Sequence, residues 1–401
     1  MLKDIFLTGR QLSMNKKIII WGSGKIGRGF IADIFNDEGY EVCLIDESIK
    51  LIDALKKQKK YTVIYAGNNT ITEKKIENYS AFNTNQAEEI AEEFLNSDLL
   101  AVSVFPQDFE ATANQIKKYV LNKKIKSGNN AFNIILCTNL IHAGPKFEQL
   151  LQKNLSLEEK EYFRKNVGIV ESLVIRISPE PPKEAFDKDP LVVWTNGYDE
   201  LPVDGNAFKG PIPVIKSLRL VKDMRAEEIR KIYTYNMCHA LIAYYGCFKK
   251  YDLLVDCLND PEIKREAVGA LGEVSSALQE KFCFTQDEMD KWINNVLEHT
   301  NNPSIGDTVL RSAADPLRKL QKEDRLIGPA LLCLEKNIEP KHLIKGIGAA
   351  LHFYNADDQS SKQVQEMISK KGIRETIKEV CSLAEEESQL VDDIVKAYYL
   401  F

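Results

Sequence analysis

The chain has 401 residues, 44% of them hydrophobic and 28% charged, with a formal net charge of −6. That length implies two domains, the balance is that of a globular protein, and an acidic chain without a long basic run excludes nucleic acid as an expected partner. The eight cysteines are scattered without a C-x-x-C pair, which suits free thiols in a reducing compartment, and no apolar run is long enough for a membrane span. The expected location is cytoplasmic.

In chain order, MLKDIFLTGRQLS (1–13) lacks a signal-peptide apolar region and reads as an extension before Met14. KIIIW (17–21) is a short β-rich run, followed by helical spacing from Lys25 to Asp37. EVCLID (41–46) is a second strand, and ESIKLIDALKK returns to a helical period. DLLAVSVF (98–105) and NIILCT (133–138) are continuous apolar runs, as for strands buried on both faces, with helical FEATANQIKKYVL between them. This alternation predicts a doubly wound parallel sheet. From Gly168 strand signals continue in VGIVESLVIRI, LVVWTNGY and SLRLVKDM, with loops at SPEPPKE and VDGNAFKGPIP. After Met224 helical periods dominate, separated by turn and capping signals at TQDEM, NNPSIGD, NIEPKH and NADDQSS. The expectation is an α/β Rossmann-type domain with extra strands over 14–205 and an all-α domain over 206–401, with the boundary somewhere in 205–224.

The stretch IIIWGSGKIGRGF (18–30) places Gly22, Gly24 and Gly27 as G-x-G-x-x-G between a strand and a helix. The first glycine allows the tight turn, the second lets backbone approach a pyrophosphate, and the third permits close helix–strand packing. The helix N-terminus beyond offers free N–H groups to the phosphates. Asp46 ends the second strand, where a carboxylate can accept from an adenosine ribose and repel a 2′-phosphate. NAD is therefore expected, held by Gly22, Gly24, Lys25, Ile26, Gly27 and Asp46. The competing reading is a glycine packing turn of a flavodoxin-like protein.

KIYTYNMCH (231–239) puts Lys231, Asn236 and His239 in an otherwise apolar helical stretch. At about 100° per residue they fall near 0°, 140° and 80°, on one broad face, with Lys231 and His239 roughly 12 Å apart along the axis. A lysine can take the hydroxyl proton of an alcohol if burial lowers its pKa. An asparagine amide and an imidazole can hold the developing alkoxide by hydrogen bonding, with no metal required. The plain alternative is a surface lysine beside two buried polar groups. His142, His299, His342 and His352 show no metal-ligand spacing.

K-x4-N-x2-H on a helix after a glycine-loop domain resembles the polyol-specific long-chain dehydrogenases. GSGKIGRGF, DLLAVSV, NIILCTN, VGIVES, YNMCHALIAYYG, PLRKLQKEDRLIGP and GIGAALHFYNADD run in that family's order over nearly the whole chain from Met14. The resemblance implies Lys231 as general base, Asn236 and His239 as positioning and polarising groups, and Asn139 as a further oxyanion-binding amide. It also places Val104 near the cofactor, and Arg311, Arg318 and Arg28 among the substrate-binding candidates. The implied reaction is NAD-linked interconversion of mannitol 1-phosphate and fructose 6-phosphate by a monomer. A mannitol 2-dehydrogenase, a tagaturonate or fructuronate reductase, and a catalytically idle NAD-binding sensor are the alternatives. The chain departs from the family pattern at Phe105, where a glycine is usual, at Ile175 and Thr138, where acids are usual, and at Ala314, where the mannitol-phosphate branch tends to carry arginine.

Overall fold

A computed structural model describes residues 16–68, 70–138, 140 and 142–401. The expected extension 1–13 lies outside the described residues. The chain divides into two units, Met1–Tyr65 with Thr72–Met224, and Ala66–Ile71 with Arg225–Phe401.

The first unit carries eleven strands: β1 (Lys17–Trp21), β2 (Glu41–Asp46), β3 (Tyr61–Ala66), β4 (Ile71–Ile76), β5 (Tyr79–Asn83), β6 (Leu99–Val102), β7 (Phe132–Leu136), β8 (Val167–Glu171), β9 (Val193–Thr195), β10 (Leu201–Asp204) and β11 (Leu218–Val221). Six form a sheet in the order β5-β2-β1-β6-β7-β8. Every pair in it is parallel, with Ile19 opposite Cys43 on one side and Leu100 on the other. The period-two geometry of a strand sends alternate residues to opposite faces. Ile18 and Ile20 join the core with Phe30, Ile34 and Phe35, while Ile19 and Trp21 join the core with Phe94, Ile116 and Phe132. Burial on both faces is why these strands read as unbroken apolar runs. The order reverses direction between β1 and β6, and the carboxyl ends at such a switch point are where open α/β sheets bind ligands.

β4, β3 and β9 make a second sheet, and β10 pairs in parallel with β11. That last pairing corrects the boundary expected between 205 and 206. A strand on each side of it belongs to one ladder, so the first unit continues to Met224.

From Arg225 onward the named elements of the second unit are helical. Met237–Lys249 is buried on nearly all sides, as expected of a central helix. The capping signals act as read: Thr285 and Glu288 form a capping box at Gln286–Thr300, and Asp358 caps Gln359–Lys371. Asn302 Nδ2 donates to Ala66 O at 2.7 Å and Ser304 Oγ to Gly67 O at 3.2 Å, which draws 66–71 into this unit. Among the described residues no helix is long and apolar enough to cross a membrane. All eight cysteines are free thiols.

Candidate active site

In the first unit, the turn after β1 is forced by contact and conformation together. Gly22 has φ +96°, and a Cβ there would lie 2.2 Å from Ser103 O and 3.1 Å from a Val104 methyl, just beyond β6. A Cβ on Gly27 would meet Gly22 O at 2.0 Å, so the helix can start only this close without a side chain. Gly24 faces open space, as the middle glycine of a phosphate cradle should. Asp46 fixes the far side of the turn: Oδ2 accepts from Ser23 N at 2.7 Å and Oδ1 from Ser48 N at 2.9 Å. A carboxylate has about four lone-pair sites, so two remain for the hydroxyls of a ribose. The loop and Asp46 therefore fit a dinucleotide.

Lys25 pairs with Glu180 at 2.6 Å, and Thr138 Oγ1 donates to Val104 O at 3.0 Å. Phe105 is 71% exposed, outside the core. Ile175 is buried, and Arg176 beside it is held by Asp33 and by Gly29 O at 2.8 Å. An interior apolar position accounts for isoleucine at the site where an acid is usual.

In the second unit, the stretch expected to be a plain α-helix is interrupted. Met224–Lys231 and Met237–Lys249 are joined by a π-helical turn, Ile232–Asn236, closed by Met237 N donating to Ile232 O. Thr234 supplies the cause. Its hydroxyl donates to Arg230 O at 2.5 Å and accepts from Trp292 Nε1 at 2.7 Å, and such back-bonding perturbs the helical ladder. A π turn takes in one residue more than an α turn, which removes about 100° of phase. The offset between Lys231 and His239 falls from about 80° to about 20°, and Asn236 moves toward the same line. The irregularity thus tightens the face that the spacing had only roughly outlined.

Burial lowers the Lys231 ammonium to about 8, with the Arg325 charge adding to the effect and Glu228 opposing it. Lys231 keeps partial solvent exposure, so the lowering reflects protein packed around the ammonium rather than full enclosure of the side chain. His239 is likewise lowered, first by burial, with Asp307 opposing and Arg311 and Arg325 reinforcing. Its tautomer follows from Thr300. That hydroxyl donates to Val296 O at 2.7 Å, so at 2.9 Å from the ring it accepts from His239 Nε2–H. Nδ1 is then a lone-pair acceptor. A neutral ring in this form accepts from a hydroxyl, whereas the sequence reading had it donating to an alkoxide. The Asn236 amide is half-buried and makes no hydrogen bond to another described residue. Behind the helix, Tyr235 Oη lies 2.9 Å from His299 Nδ1, and burial takes His299 down to about 4.

Other expected site residues land differently. Asn139 lies outside the described residues. Arg28 is only 7% exposed, with Nε on Ser23 O at 2.8 Å and Nη1 on Leu191 O at 2.5 Å. Its guanidinium staples the glycine loop, so the structure does not present it to a substrate. Arg311 and Arg318 are exposed and paired with Asp307 and Asp315. Sequence reasoning missed Arg325 and did not carry Lys319 into the site. Lys319 is buried, donates to Ser312 O at 2.6 Å, and is lowered to about 8 by burial and the neighbouring Arg325 and Arg318 charges. Their motif was legible in PLRKLQKEDR, but among many surface cations nothing local marks these two. Among the described residues no three His, Cys, Asp or Glu side chains are grouped to hold a metal ion.

The Rossmann domain of mannitol dehydrogenases matches residues 16–217, and the mannitol dehydrogenase C-terminal domain matches 223–400. The chain belongs to the mannitol dehydrogenase family. It is accordingly an NAD-dependent polyol dehydrogenase. The chain is 30% identical to mannitol-1-phosphate 5-dehydrogenase of Buchnera aphidicola subsp. Acyrthosiphon pisum (strain Tuc7), over 92% of this chain and 94% of the relative. Two solved structures share the fold. A substrate-free D-sorbitol dehydrogenase superposes with a TM-score of 0.83 at 14% identity, covering 96% of this chain and 92% of that one. The mannitol 2-dehydrogenase of Pseudomonas fluorescens, in a ternary complex with NAD and D-mannitol, gives 0.71 at 15% identity, covering 97% and 92%.

Proposed function

We infer that this family member interconverts mannitol 1-phosphate and fructose 6-phosphate, with Lys231 as the general base. The observation that carries the reading is a lysine held near 8 on one helical line with a half-buried asparagine amide and a neutral histidine. A group with that pKa is divided between base and acid close to neutral pH, so it serves both directions of a reversible oxidation. In alcohol oxidation Lys231 Nζ takes the hydroxyl proton, and the Asn236 amide donates to the oxygen as it becomes a carbonyl. His239 Nδ1 accepts from a substrate hydroxyl and orients it. Bound NAD supplies the acceptor for the hydride that leaves the carbinol carbon. In ketone reduction Lys231 returns the proton.

Support for a phosphorylated substrate comes from a shared cation: Arg325 acts on both Lys231 and Lys319 within one unit. The 30% identity to a mannitol-1-phosphate 5-dehydrogenase points the same way. The test is an NADH-oxidation screen over fructose 6-phosphate, fructose, tagaturonate and fructuronate. Fructose 6-phosphate should give the highest kcat/KM. A preference for fructose would reassign the chain to unphosphorylated polyols, and a preference for a hexuronate to the reductases.

A further inference from the structure

Three arginines stand between Asp307 and the helix Ile327–Glu335, and they are not equivalent. Arg311 is 69% exposed, and its Nε and one terminal nitrogen both go to Asp307. Arg318 is 51% exposed, with Nε on Asp315 at 2.7 Å and Nη1 on Asp324 at 3.4 Å. Arg325 is only 17% exposed. Asp324 Oδ1 holds it from behind, accepting from Nε at 2.7 Å and from the Arg325 backbone N–H at 2.6 Å. Neither terminal nitrogen of Arg325 has a protein partner among the described residues. The guanidinium is therefore fixed at one end, shielded from bulk water, and open along the edge that matches two oxygens of a phosphate.

Its position relative to the chemistry is equally distinct. Arg325 depresses Lys231, His239 and Lys319 alike, whereas Arg311 bears on His239 and Arg318 on Lys319. A fixed cation beside the partly exposed Lys231 and the buried Lys319 sets like charges against one another in the empty site. A bound dianion reverses the sign of that term, and the low-dielectric setting strengthens the attraction. We propose that Arg325, through its two terminal nitrogens, is the principal phosphate anchor of this enzyme, ahead of the more exposed Arg311 and Arg318. The inference rests on the phosphorylated-substrate reading above and says which residue realises it.

The experiment measures kcat/KM for fructose 6-phosphate and for fructose at about pH 7, where a lysine with a pKa of 8 or more is largely protonated in every variant. Wild type, Arg325→Ala, Arg325→Lys, Arg311→Ala and Arg318→Ala are compared, each with its NADH dissociation constant as a check on folding. Arg325→Ala should lower the fructose 6-phosphate to fructose ratio about 10- to 150-fold, the scale of a charge-assisted hydrogen bond, mainly through KM. Arg325→Lys keeps the charge without the fork, so its ratio should fall between wild type and alanine. If Arg325→Ala does not fold, a lysine variant with an unchanged ratio overturns the proposal. So does a larger drop in Arg311→Ala or Arg318→Ala than in Arg325→Ala or, where that fails to fold, Arg325→Lys, or an equal loss on both substrates. Should wild type itself show no preference for fructose 6-phosphate, the phosphorylated-substrate reading fails and takes this inference with it.

Discussion

Lys231 is held near 8 by desolvation first and by the Arg325 charge second. Because oxidation needs the neutral amine, kcat/KM for the alcohol should rise with pH through about 8 and level off above it. Ketone reduction needs the ammonium and should fall across the same interval. Lys231→Ala should lower turnover by at least about a hundredfold while NADH binds nearly as before, since the glycine loop belongs to the other unit. A variant with near wild-type turnover would make the helix face structural. Asp46 carries the second expectation at this scale. Each oxygen already holds one backbone N–H, which fixes the carboxylate; if it binds the adenosine ribose, it would repel a 2′-phosphate. Asp46→Ala should raise kcat/KM for NADPH relative to NADH, and equal use of both by the wild type would contradict the assignment. Asp46, the glycines and the Lys-Asn-His spacing could be proposed from the sequence because each pattern depends on a short stretch of chain. Arg28 was misread because exposure cannot be seen beside a glycine loop. Arg325 was passed over because its importance lies in neighbours up to 94 positions away, which only the folded chain brings near.

Secondary structure shows the same division between local and distant causes. β1, β2, β6 and β7 announce themselves by apolar runs, since a central parallel strand is buried on both faces. β4 does not: ITEKKI is an edge strand, exposed at most positions and charged at three, so its sequence resembles a loop. The π turn at Ile232–Asn236 is hidden for a different reason. The Thr234 hydroxyl that bonds back to Arg230 O is itself held by a hydrogen bond from Trp292, 58 residues along the chain. That gives a sharp expectation for Thr234→Val, which keeps the shape and removes the oxygen. Trp292 Nε1 is left buried without its acceptor, at about 1–3 kcal/mol of stability. If the turn also relaxes to α geometry, Lys231 swings by about 100° relative to His239, and kcat falls well beyond what the loss of folded protein explains. Thermal denaturation and kcat should be read on the same preparation. A destabilised variant with unchanged kcat per folded molecule would show that the π turn does not set the catalytic face.

Across the whole molecule the formal net charge is −6, so at long range the protein repels an anionic sugar phosphate. Recognition must then come from local cations, and in the second unit Lys231 and Lys319 both sit near 8 with Arg325 acting on each. This combination ties substrate binding to protons. At pH 8 each lysine is about half protonated in the free enzyme. A phosphate dianion nearby favours the ammonium forms and raises both pKa values, so protons are taken up on binding. The phosphate itself, with a second pKa near 6, is already a dianion and adds no titration of its own. Affinity for fructose 6-phosphate should therefore be highest below pH 8 and decline as pH rises through it, and fructose should show a much weaker dependence. Calorimetric titration at pH 8 in buffers of different ionisation enthalpy reads the uptake directly. The expected result is a positive, substoichiometric uptake for fructose 6-phosphate that shrinks in Lys319→Met, which removes one of the two titrating amines. Binding of fructose 6-phosphate without proton uptake would mean that its phosphate lies away from both lysines.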